Sequence, residues 1–248
     1  MFGFAKKTEP EPFVSAIIVA AGTASRMGGL NKQTAVIDEI PVVVRSIAAF
    51  NACPRICEII VVCREEHIAD FFDLVREYQL DKVSSVVTGG QTRQDSVFGG
   101  VEACSSETAY IAVHDGARPL VTQQIIEACL DAAVMYGAAA AGVRSKDTVK
   151  LADARGVILS TPDREKTYNI QTPQAFSAVL YRRAMALALR EQRVYTDDCQ
   201  LVERAGEQVY ISQGSYENIK ITTPEDLAVA NAILTYREGG LEACQIVE

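Results

Sequence analysis

Short apolar runs alternate with stretches of helical periodicity along most of the chain. Runs rich in Val, Ile and Ala predict strands buried on both faces, whereas apolar side chains three or four residues apart predict amphipathic helices. The predicted strands cover residues 15–19, 58–63, 82–88, 110–114 and 138–143, and the helices cover 41–52, 65–78, 93–104 and 122–136. This alternation predicts an α/β fold with a doubly wound, mostly parallel sheet, in which ligands bind beyond the carboxyl ends of the strands.

The pattern changes after residue 143. Residues 145–171 are polar and irregular, with two short apolar runs flanking Asp153-Ala154-Arg155-Gly156, which predicts a β-hairpin that projects from the sheet. Residues 172–176 lead into a predicted helix at 178–191, followed by a helix from 196 to 205, an edge strand at 209–213, a short strand at 217–221 and a last helix from 223. We expect one domain over 1–248, with 145–171 as an arm that needs a partner for stability.

The first predicted strand opens into a loop suited to polyanions. Ala20, Ala21 and Gly22 carry almost no side chain, so a ligand can approach backbone N–H groups closely. Arg26 and Lys32 add positive charge within a few residues of that surface. The spacing fits neither the dinucleotide fingerprint nor the Walker loop. This segment alone is consistent with a phosphate-binding loop and with an ordinary solvated turn.

Two more turns at predicted strand ends carry candidate chemistry. Residues 89–96 place a glycine pair before a helix N-terminus, where N–H groups and the Ser96 hydroxyl can hold a base or ribose. In the run from His114 to Pro119, Asp115 can hold a metal or a hydroxyl and Arg118 can hold a phosphate. The alternatives are a plain turn for the first stretch and a surface ion pair for the second.

Composition disfavours several classes of partner. A formal net charge of -8 argues against nucleic acid and anionic membranes. No apolar segment approaches the ~20 residues that span a bilayer, and the polar N-terminal residues lack the core of a signal peptide, so we expect a soluble, cytoplasmic protein. The seven cysteines form no C-x-x-C pair and only two histidines accompany them, which favours buried thiols over a zinc site or a cysteine nucleophile.

Six motifs occur in register between residues 14 and 236. They are Ala20-Ala21-Gly22 with Arg26 and Lys32, the 89–96 turn, His-Asp-Gly-Ala-Arg-Pro from 114, Thr-Pro-Gln from 172, Thr-Asp-Asp from 196, and Asn-Ile-Lys-Ile-Thr-Thr-Pro-Glu-Asp-Leu from 218. In this order they resemble the 2-C-methyl-D-erythritol 4-phosphate cytidylyltransferase family. The resemblance implies a Rossmann-type fold like that of nucleotide-diphospho-sugar transferases, and a homodimer held by the 145–171 arm.

The resemblance also implies the reaction and its cofactor. CTP and 2-C-methyl-D-erythritol 4-phosphate would give 4-diphosphocytidyl-2-C-methyl-D-erythritol and pyrophosphate, with Mg²⁺, in non-mevalonate isoprenoid biosynthesis. The attacking phosphate oxygen is already anionic near neutral pH, so the scarcity of histidine is no objection. The protein would act by positioning the substrates and neutralising their charge.

Each site residue receives a role from the same resemblance. Arg26 and Lys32 would stabilise charge on the triphosphate, whereas Arg164 and Lys220 would position the acceptor phosphate. The nucleotide would contact small loop residues and polar turn residues, with cytosine and ribose read at two of them: Ala20, Ala21, Gly22, Lys32, Gly90, Ser96, Asp115, Gly116 and Arg118. The acceptor would contact Asp115, Arg118, Arg164, Thr172, Thr196 and Lys220. Asp115 and Glu217 would lie at the metal.

Two other functions stay open at this point. Ribitol-5-phosphate cytidylyltransferase shares the fold and most motifs, although Thr-Asp-Asp-Cys-Gln-Leu-Val-Glu-Arg-Ala-Gly from 196 and Pro-Asp-Arg from 162 are more similar to the methylerythritol enzyme. A non-catalytic nucleotide-binding protein of the same fold is the second alternative. The presence of Arg26, Lys32, Arg164 and Lys220 together argues against it.

Overall fold

The computed structural model describes residues 11–22 and 34–243. The predicted phosphate loop therefore keeps Ala20, Ala21 and Gly22 within the described residues, while Arg26 and Lys32 lie outside them. The roles of those two cations stay predictions from the sequence.

Seven of the described strands form the central sheet. In chain order the strands are β1 (Val14–Val19), β2 (Val36–Ile37), β3 (Ile40–Pro41), β4 (Glu58–Cys63), β5 (Val83–Thr88), β6 (Tyr110–Asp115), β7 (Ala138–Arg144), β8 (Leu151–Ala152), β9 (Ile158–Ser160), β10 (Tyr168–Ser177) and β11 (Tyr210–Gln213). The sheet order is β11-β7-β10-β6-β1-β4-β5. Among these seven strands only β10 runs antiparallel to its neighbours, which confirms the predicted mostly parallel sheet.

Helices cover both faces of this sheet. They are α1 (Val42–Asn51), α2 (Ile68–Glu77), α3 (Arg93–Glu102), α4 (Gln123–Tyr136), α5 (Ala178–Glu191), α6 (Asp198–Arg204) and α7 (Pro224–Ala243). One core cluster joins the sheet to α1, α2 and α4, and a second joins it to α3, α5 and α6. The predicted doubly wound arrangement is thus confirmed. Of the helices in the described part of the chain, none is sufficiently long and apolar to cross a membrane.

Strand β1 shows why continuous apolar runs mark the centre of such a sheet. Ala16 and Ile18 point into the first core, whereas Ile17 and Val19 point into the second. All four side chains are buried, because a parallel strand between two helical layers has no solvent face. The strand therefore delivers the chain to the carboxyl edge of the sheet at Ala20.

The segment 172–176 leads into a helix that begins at Ala178, as predicted. The sequence did not show that the segment itself is part of β10, which pairs with both β6 and β7 in the middle of the sheet. The strand lacks the apolar run that marks a central strand, because Gln171, Thr172 and Gln174 are buried and make hydrogen bonds in place of apolar contacts. Pro173 is tolerated where the register with β7 shifts between Ile170 and Gln174.

Residues 217–221 were predicted to form a short strand, and this was wrong. The stretch is irregular, and its polar groups bond mainly outside any ladder. The Asn218 side chain donates to the Thr172 carbonyl at 2.9 Å, and the Ile221 N–H donates to the Ala117 carbonyl at 2.8 Å. These bonds hold residues 217–221 against β10 and the turn after β6, and we call this irregular stretch the strap.

Part of 145–171 forms the antiparallel pair β8–β9, joined by a turn over Asp153–Gly156 in which Gly156 has φ +82°. The pair covers only the middle of the predicted segment 145–171, whose last residues, from Tyr168 on, belong to β10. The pair exposes several large apolar side chains: Leu151, Val157, Ile158 and Leu159. The sequence analysis described this segment as polar and did not predict the exposed apolar side chains. The role of the segment as a dimer arm stays a prediction.

Candidate active site

A cleft of about 520 Å³ opens at the carboxyl edge of the sheet. Its walls come from residues that follow β1, β4 and β5, from the end of β6, and from the strap after β11: Ala21, Gly22, Arg64, Gly90, Arg93, Asp115 and Lys220 are among them. This is the edge at which parallel α/β sheets bind ligands. The fold therefore brings the first, second and third candidate stretches of the sequence to one place.

The glycine turn before α3 has no room for side chains. A Cβ on Gly89 would lie 2.4 Å from Ala21 Cβ, and a Cβ on Gly90 would lie 2.3 Å from Asp95 Cβ. The Gly90 N–H donates to Ser96 Oγ at 3.1 Å, and Ser96 Oγ donates to the Thr92 carbonyl at 2.9 Å. The Ser96 hydroxyl thus shapes the turn, which presents backbone to the cleft.

Asp115 lies at the centre of a charge cluster. Lys220 Nζ is 2.7 Å from Asp115 Oδ2, and Arg93 Nε is 3.5 Å from Asp115 Oδ1. Arg118 Nε lies 3.7 Å from Asp115 Oδ2. Three cations from separate parts of the chain therefore share one carboxylate, and the cluster has surplus positive charge for a bound anion.

The protonation states in this cluster follow from burial and charge. Burial alone would raise the pKa of Asp115, but Lys220, Arg93 and Arg118 outweigh it and hold that pKa well below its usual range. Burial alone would lower the pKa of Arg93, but Asp198 and Asp115 outweigh it and raise that pKa. Both side chains are charged near pH 7, so the cluster is ionic and fixed.

His114 precedes Asp115 in β6 and is completely buried, and its neutral ring connects neighbouring groups through hydrogen bonds. Its Nε2 lies 3.3 Å from the Arg118 carbonyl, which can only accept, so Nε2 carries the proton. Its Nδ1 then accepts from Thr172 Oγ1 at 3.0 Å, and Thr172 Oγ1 accepts the Asp115 N–H at 3.0 Å. Burial lowers the pKa of His114 to about 3. The ring is therefore unsuited to proton transfer and instead fixes the end of β6.

Arg118 and Gly116 hold the cleft floor together. Arg118 Nη1 donates to the Asn218 carbonyl at 2.7 Å, which ties the strap carrying Lys220 to the turn after β6. The Gly116 carbonyl accepts from Ser46 Oγ at 2.9 Å, and the Gly116 N–H donates to the Val19 carbonyl at 2.9 Å. Burial lowers the pKa of Arg118. Arg118 thus helps to position Lys220 through its bond to the Asn218 carbonyl, two residues before Lys220.

The predicted site residues fall into two groups. Those that line the cleft within the described residues are Ala21, Gly22, Gly90, Ser96, Asp115 and Lys220, with Ala20, Gly116, Arg118 and Thr172 packed next to it. Thr196 is exposed just before α6, and Arg164 is exposed in a short 3₁₀ helix at Arg164–Lys166. Glu217 lies in a second cleft, where it pairs with Arg237 Nε at 2.9 Å. These last three side chains are not among the described residues that line the first cleft.

Sequence reasoning missed Arg93 as a site residue. Arg93 lines the cleft and is the first residue of α3, where the helix dipole disfavours a cation. That unfavourable placement was a usable signal, because a cation there needs a carboxylate or an anionic ligand to offset it. Asp198, which pairs with Arg93 Nη1 at 2.7 Å, carried no comparable signal.

The cysteine prediction holds for most of the thiols. Within the described ranges, all six cysteines are unpaired, and Cys53, Cys63, Cys129 and Cys199 are buried. Burial raises the pKa of Cys63 to about 11 and that of Cys129 to about 12. The described residues also contain no group of three or more His, Cys, Asp and Glu side chains that could hold a metal.

Comparison with known proteins identifies the family. The sequence profile of IspD, 2-C-methyl-D-erythritol 4-phosphate cytidylyltransferase, matches residues 14–236. A protein of that name from Caldanaerobacter subterraneus subsp. tengcongensis is 47% identical over 223 residues, 89% of this chain and 98% of the relative. Another from Bacillus cereus is 43% identical over 219 residues, 88% of this chain and 96% of the relative.

Solved structures agree with the profile. The 4-diphosphocytidyl-2C-methyl-D-erythritol synthase from Anaerococcus prevotii superposes with a TM-score of 0.82 at 33% identity, covering 91% of this chain and 99% of that one. The 2-C-methyl-D-erythritol 4-phosphate cytidylyltransferase from Thermus thermophilus superposes with a TM-score of 0.72 at 29% identity, covering 88% and 97%. On the extent of the profile match and of these alignments, the chain belongs to the 2-C-methyl-D-erythritol 4-phosphate cytidylyltransferase family.

Proposed function

We propose that this protein transfers a cytidylyl group from CTP to 2-C-methyl-D-erythritol 4-phosphate and releases pyrophosphate, in non-mevalonate isoprenoid biosynthesis. Family membership supports the proposal, as do relatives of that name at 40–47% identity. The observation that carries it is the Asp115 cluster, which holds Lys220 and Arg93 at the edge of a nucleotide-sized cleft.

The chemistry needs positioned charge more than proton transfer. An oxygen of the acceptor phosphate forms a bond to the α-phosphorus of CTP while the bond from that phosphorus to the α–β bridging oxygen breaks. Pyrophosphate leaves with the electron pair of the broken bond. Fixed cations next to the reacting phosphates stabilise the charge that accumulates there. The neutral, buried His114 is consistent with a reaction that uses no histidine base.

We assign Lys220 and Arg164 to the acceptor phosphate, and Arg26 and Lys32 to the triphosphate. Of the two that lie within the described residues, Lys220 lines the cleft and Arg164 does not. Its ammonium bonds Asp115, so an arriving phosphate can share it without a large rearrangement. Thr172 and Thr196 would contact the acceptor alcohol groups. Ala20, Ala21 and Gly22 would leave room for the phosphates.

We assign base selection to the 89–96 turn. Triphosphates look alike to a cation, whereas a backbone turn without side chains can admit a pyrimidine and exclude a larger purine. The closeness of Gly89 to Ala21 supports this, because one side of the turn packs directly on the phosphate-loop strand. Cytosine and the phosphates would then be held by adjoining parts of one wall.

Mg²⁺ is part of the proposal as a group bound mainly by substrate. Three carboxylates line the cleft within the described residues, Glu65, Glu66 and Asp115, and the charge of Asp115 is already shared by cations. That set fits a magnesium ion that takes most of its oxygens from the triphosphate and water, which is common for this ion. When bound, the ion would neutralise phosphate charge. Glu217 would serve only if a partner or a moving strap brought it closer.

We also propose that the protein works as a homodimer in the cytoplasm. The exposed apolar strip on β8–β9 supports an interface, since Leu159 is 67% and Ile158 58% exposed in the single chain. Arg164 is exposed a few residues beyond that strip, so a partner's cleft is where its guanidinium would find a phosphate. The unpaired cysteines of the described residues suit a reducing compartment.

The test is pyrophosphate release from CTP with each acceptor in turn. We expect turnover with 2-C-methyl-D-erythritol 4-phosphate and little with ribitol 5-phosphate, and a strong preference for CTP over ATP. Faster turnover with ribitol 5-phosphate would transfer the assignment to that cytidylyltransferase. Binding of CTP with no pyrophosphate release from any acceptor would make the chain a non-catalytic nucleotide-binding protein.

A further inference from the structure

The segment 193–198 is held in place by the side chain of Gln94, in the first turn of α3. Gln94 Nε2 donates to the Arg193 carbonyl at 3.0 Å, and Gln94 Oε1 accepts the Tyr195 N–H at 3.0 Å. Gln94 is buried, so both bonds are shielded from water. Both functional ends of one amide are thus committed to the backbone of a single segment.

A second anchor fixes the other end of the segment. Asp198 is buried, and its carboxylate pairs with Arg93 Nη1 at 2.7 Å and accepts from the hydroxyl of Tyr181. Arg93 and Gln94 are adjacent, so two consecutive side chains of α3 hold the two ends of 193–198. Arg93 also reaches Asp115, which links the anchor to the centre of the cleft.

Between the anchors the segment has little support of its own. Residues 193–195 are in neither a strand nor a helix. The Tyr195 side chain packs against the second core, whereas Thr196 is exposed and its N–H lies 3.2 Å from Gln200 Oε1. Asp197 adds a cap on α6 through the Gln200 N–H and a bond at 3.4 Å from Gln174 Nε2. The path of residues 193–195 toward Thr196 depends on the two bonds of Gln94, together with the Arg193 N–H, which donates to the Ala188 carbonyl at 3.1 Å.

We propose that Gln94 is a positioning residue that keeps the acceptor-side segment 193–198 in register with the nucleotide-side turn 89–96. This rests on the proposed function, in which Thr196 contacts the acceptor. Gln94 itself is not among the described residues that line the cleft, so it acts on the acceptor through the segment that it holds. The same α3 turn then organises both substrates: its backbone faces the nucleotide and its side chains hold the acceptor segment.

The proposal separates the two substrates kinetically. Without the Gln94 amide, the Arg193 carbonyl and the Tyr195 N–H lose their partner, and Thr196 loses the support of the residues before it while it keeps its bonds to Gln200. The 89–90 turn keeps its bonds to Ser96 and its capping by Thr92, neither of which involves Gln94. We therefore expect Gln94→Ala to raise the KM for the acceptor about tenfold. The KM for CTP and the directly measured Kd of CTP should stay within about twofold.

Two further variants sharpen this test. Gln94→Glu can still accept the Tyr195 N–H but sets a carboxylate oxygen against the Arg193 carbonyl in a buried place, so its acceptor KM should rise at least as much as that of Gln94→Ala. Arg193→Ala is the matched control, because Gln94 bonds the backbone of Arg193 and not its exposed side chain. It should keep wild-type values. A purely structural role for Gln94 would lower kcat and the melting temperature with both KM values unchanged, and that result would overturn the proposal.

Hydrogen exchange of the free protein provides a readout that needs no turnover. In Gln94→Ala, peptides covering 193–198 should exchange faster, whereas peptides covering 89–92 should not change. If the wild type released no pyrophosphate, the proposed function would fail, yet this experiment would still show whether Gln94 holds the segment. Unchanged exchange in 193–198, or an equal rise in the KM for both substrates, would refute the positioning role.

Discussion

Asp115 and Asp153 are both carboxylates with arginine partners, one at the buried end of β6 and the other in the turn of the β8–β9 hairpin. Asp153 finds all of its partners within four residues: the N–H groups of Arg155 and Val157, and the Arg155 guanidinium. The Val157 N–H and the Arg155 side chain lower its pKa, and both effects are larger than the opposing effect of burial.

Asp115 is different in each respect. Its partners are Arg93 from α3, Arg118 from the following turn and Lys220 from the strap after β11. Burial opposes its charge and cations from distant parts of the chain overcome that opposition. A carboxylate whose partners are all close in sequence stabilises a single turn. Asp115 has partners from α3 and from the strap after β11, so its site forms only when these parts of the fold are in place. Substitutions in the two regions should therefore differ in reach, and four predictions examine that difference.

The largest effect should come from Lys220→Ala. Removing this ammonium leaves the Asp115 negative charge in the cleft and deletes a cation at the acceptor phosphate, so we expect kcat/KM to fall ~100-fold or more. Lys32→Ala should behave similarly at the triphosphate. Lys166→Ala is the control, because Lys166 is an exposed lysine near the hairpin that pairs with Asp163 at 3.9 Å. Pyrophosphate release measures all three, and a loss below tenfold for Lys220→Ala would remove it from the mechanism.

The second prediction is that Arg164, which follows the hairpin, completes the active site of the partner subunit. Arg164→Ala and Lys32→Ala should each be nearly inactive alone. After subunit exchange, mixed dimers contain one site with both wild-type groups and one with neither, so the mixture should regain roughly a quarter of wild-type activity. Subunit exchange must be demonstrated separately, for example with differently tagged chains. A mixture that exchanges subunits and stays inactive would place Arg164 in its own subunit or outside the mechanism.

The third effect is the pH dependence of the free energy of unfolding, which we attribute to the neutral ring of His114, next to Asp115 in β6. The folded pKa of His114, about 3, lies below the ordinary value of 6.5, so the unfolded chain takes up this proton first as the pH falls. Stability is then lost as the pH decreases from about 6.5 toward 3, at about 1.4 kcal/mol per unit, or about 2 kcal/mol between pH 6.5 and 5. Urea denaturation at the two pH values should show this loss. His114→Asn should reduce this loss, and equal slopes for the wild type and His114→Asn would contradict the prediction.

The smallest effect compares two glycines of similar backbone conformation. Gly156 in the hairpin turn has φ +82°, and Gly206 after α6 has φ +86°. In both places an added Cβ would meet nothing within 4 Å, so Ala should cost only the backbone strain of about 1 kcal/mol. For Gly206→Ala that cost should appear in the global free energy of unfolding. For Gly156→Ala it should appear as faster amide exchange in 151–160 with an unchanged unfolding midpoint. A lowered midpoint for Gly156→Ala would mean that the hairpin unfolds together with the rest of the chain.

The sequence was sufficient for the elements that obey simple patterns. Parallel strands such as β1 are buried on both faces, so their apolar runs could be recognised directly. The cleft residues Gly90 and Asp115 were recognisable because turns after such strands meet at one edge of the sheet, whereas Lys220 was assigned only through the family resemblance. The strand β10 could not be recognised, since its buried Gln171, Thr172 and Gln174 pair with partners far away in sequence. Arg93 and Asp198 form an ion pair across 105 positions, a relation that no local pattern displays.

The central position of β10 has a consequence for how the protein is made. On the ribosome, β6 is complete at residue 115 and β7 at residue 144, but the strand that lies between them ends only at residue 177. Until then β6 has a free edge, and Ile111 and Val113, which face the second core, lack the Phe176 side chain that joins the same core. Free strand edges of this kind pair readily with other chains. A nascent chain halted between residues 144 and 177 should therefore depend on chaperones, whereas one released after residue 177 can cover that edge by itself.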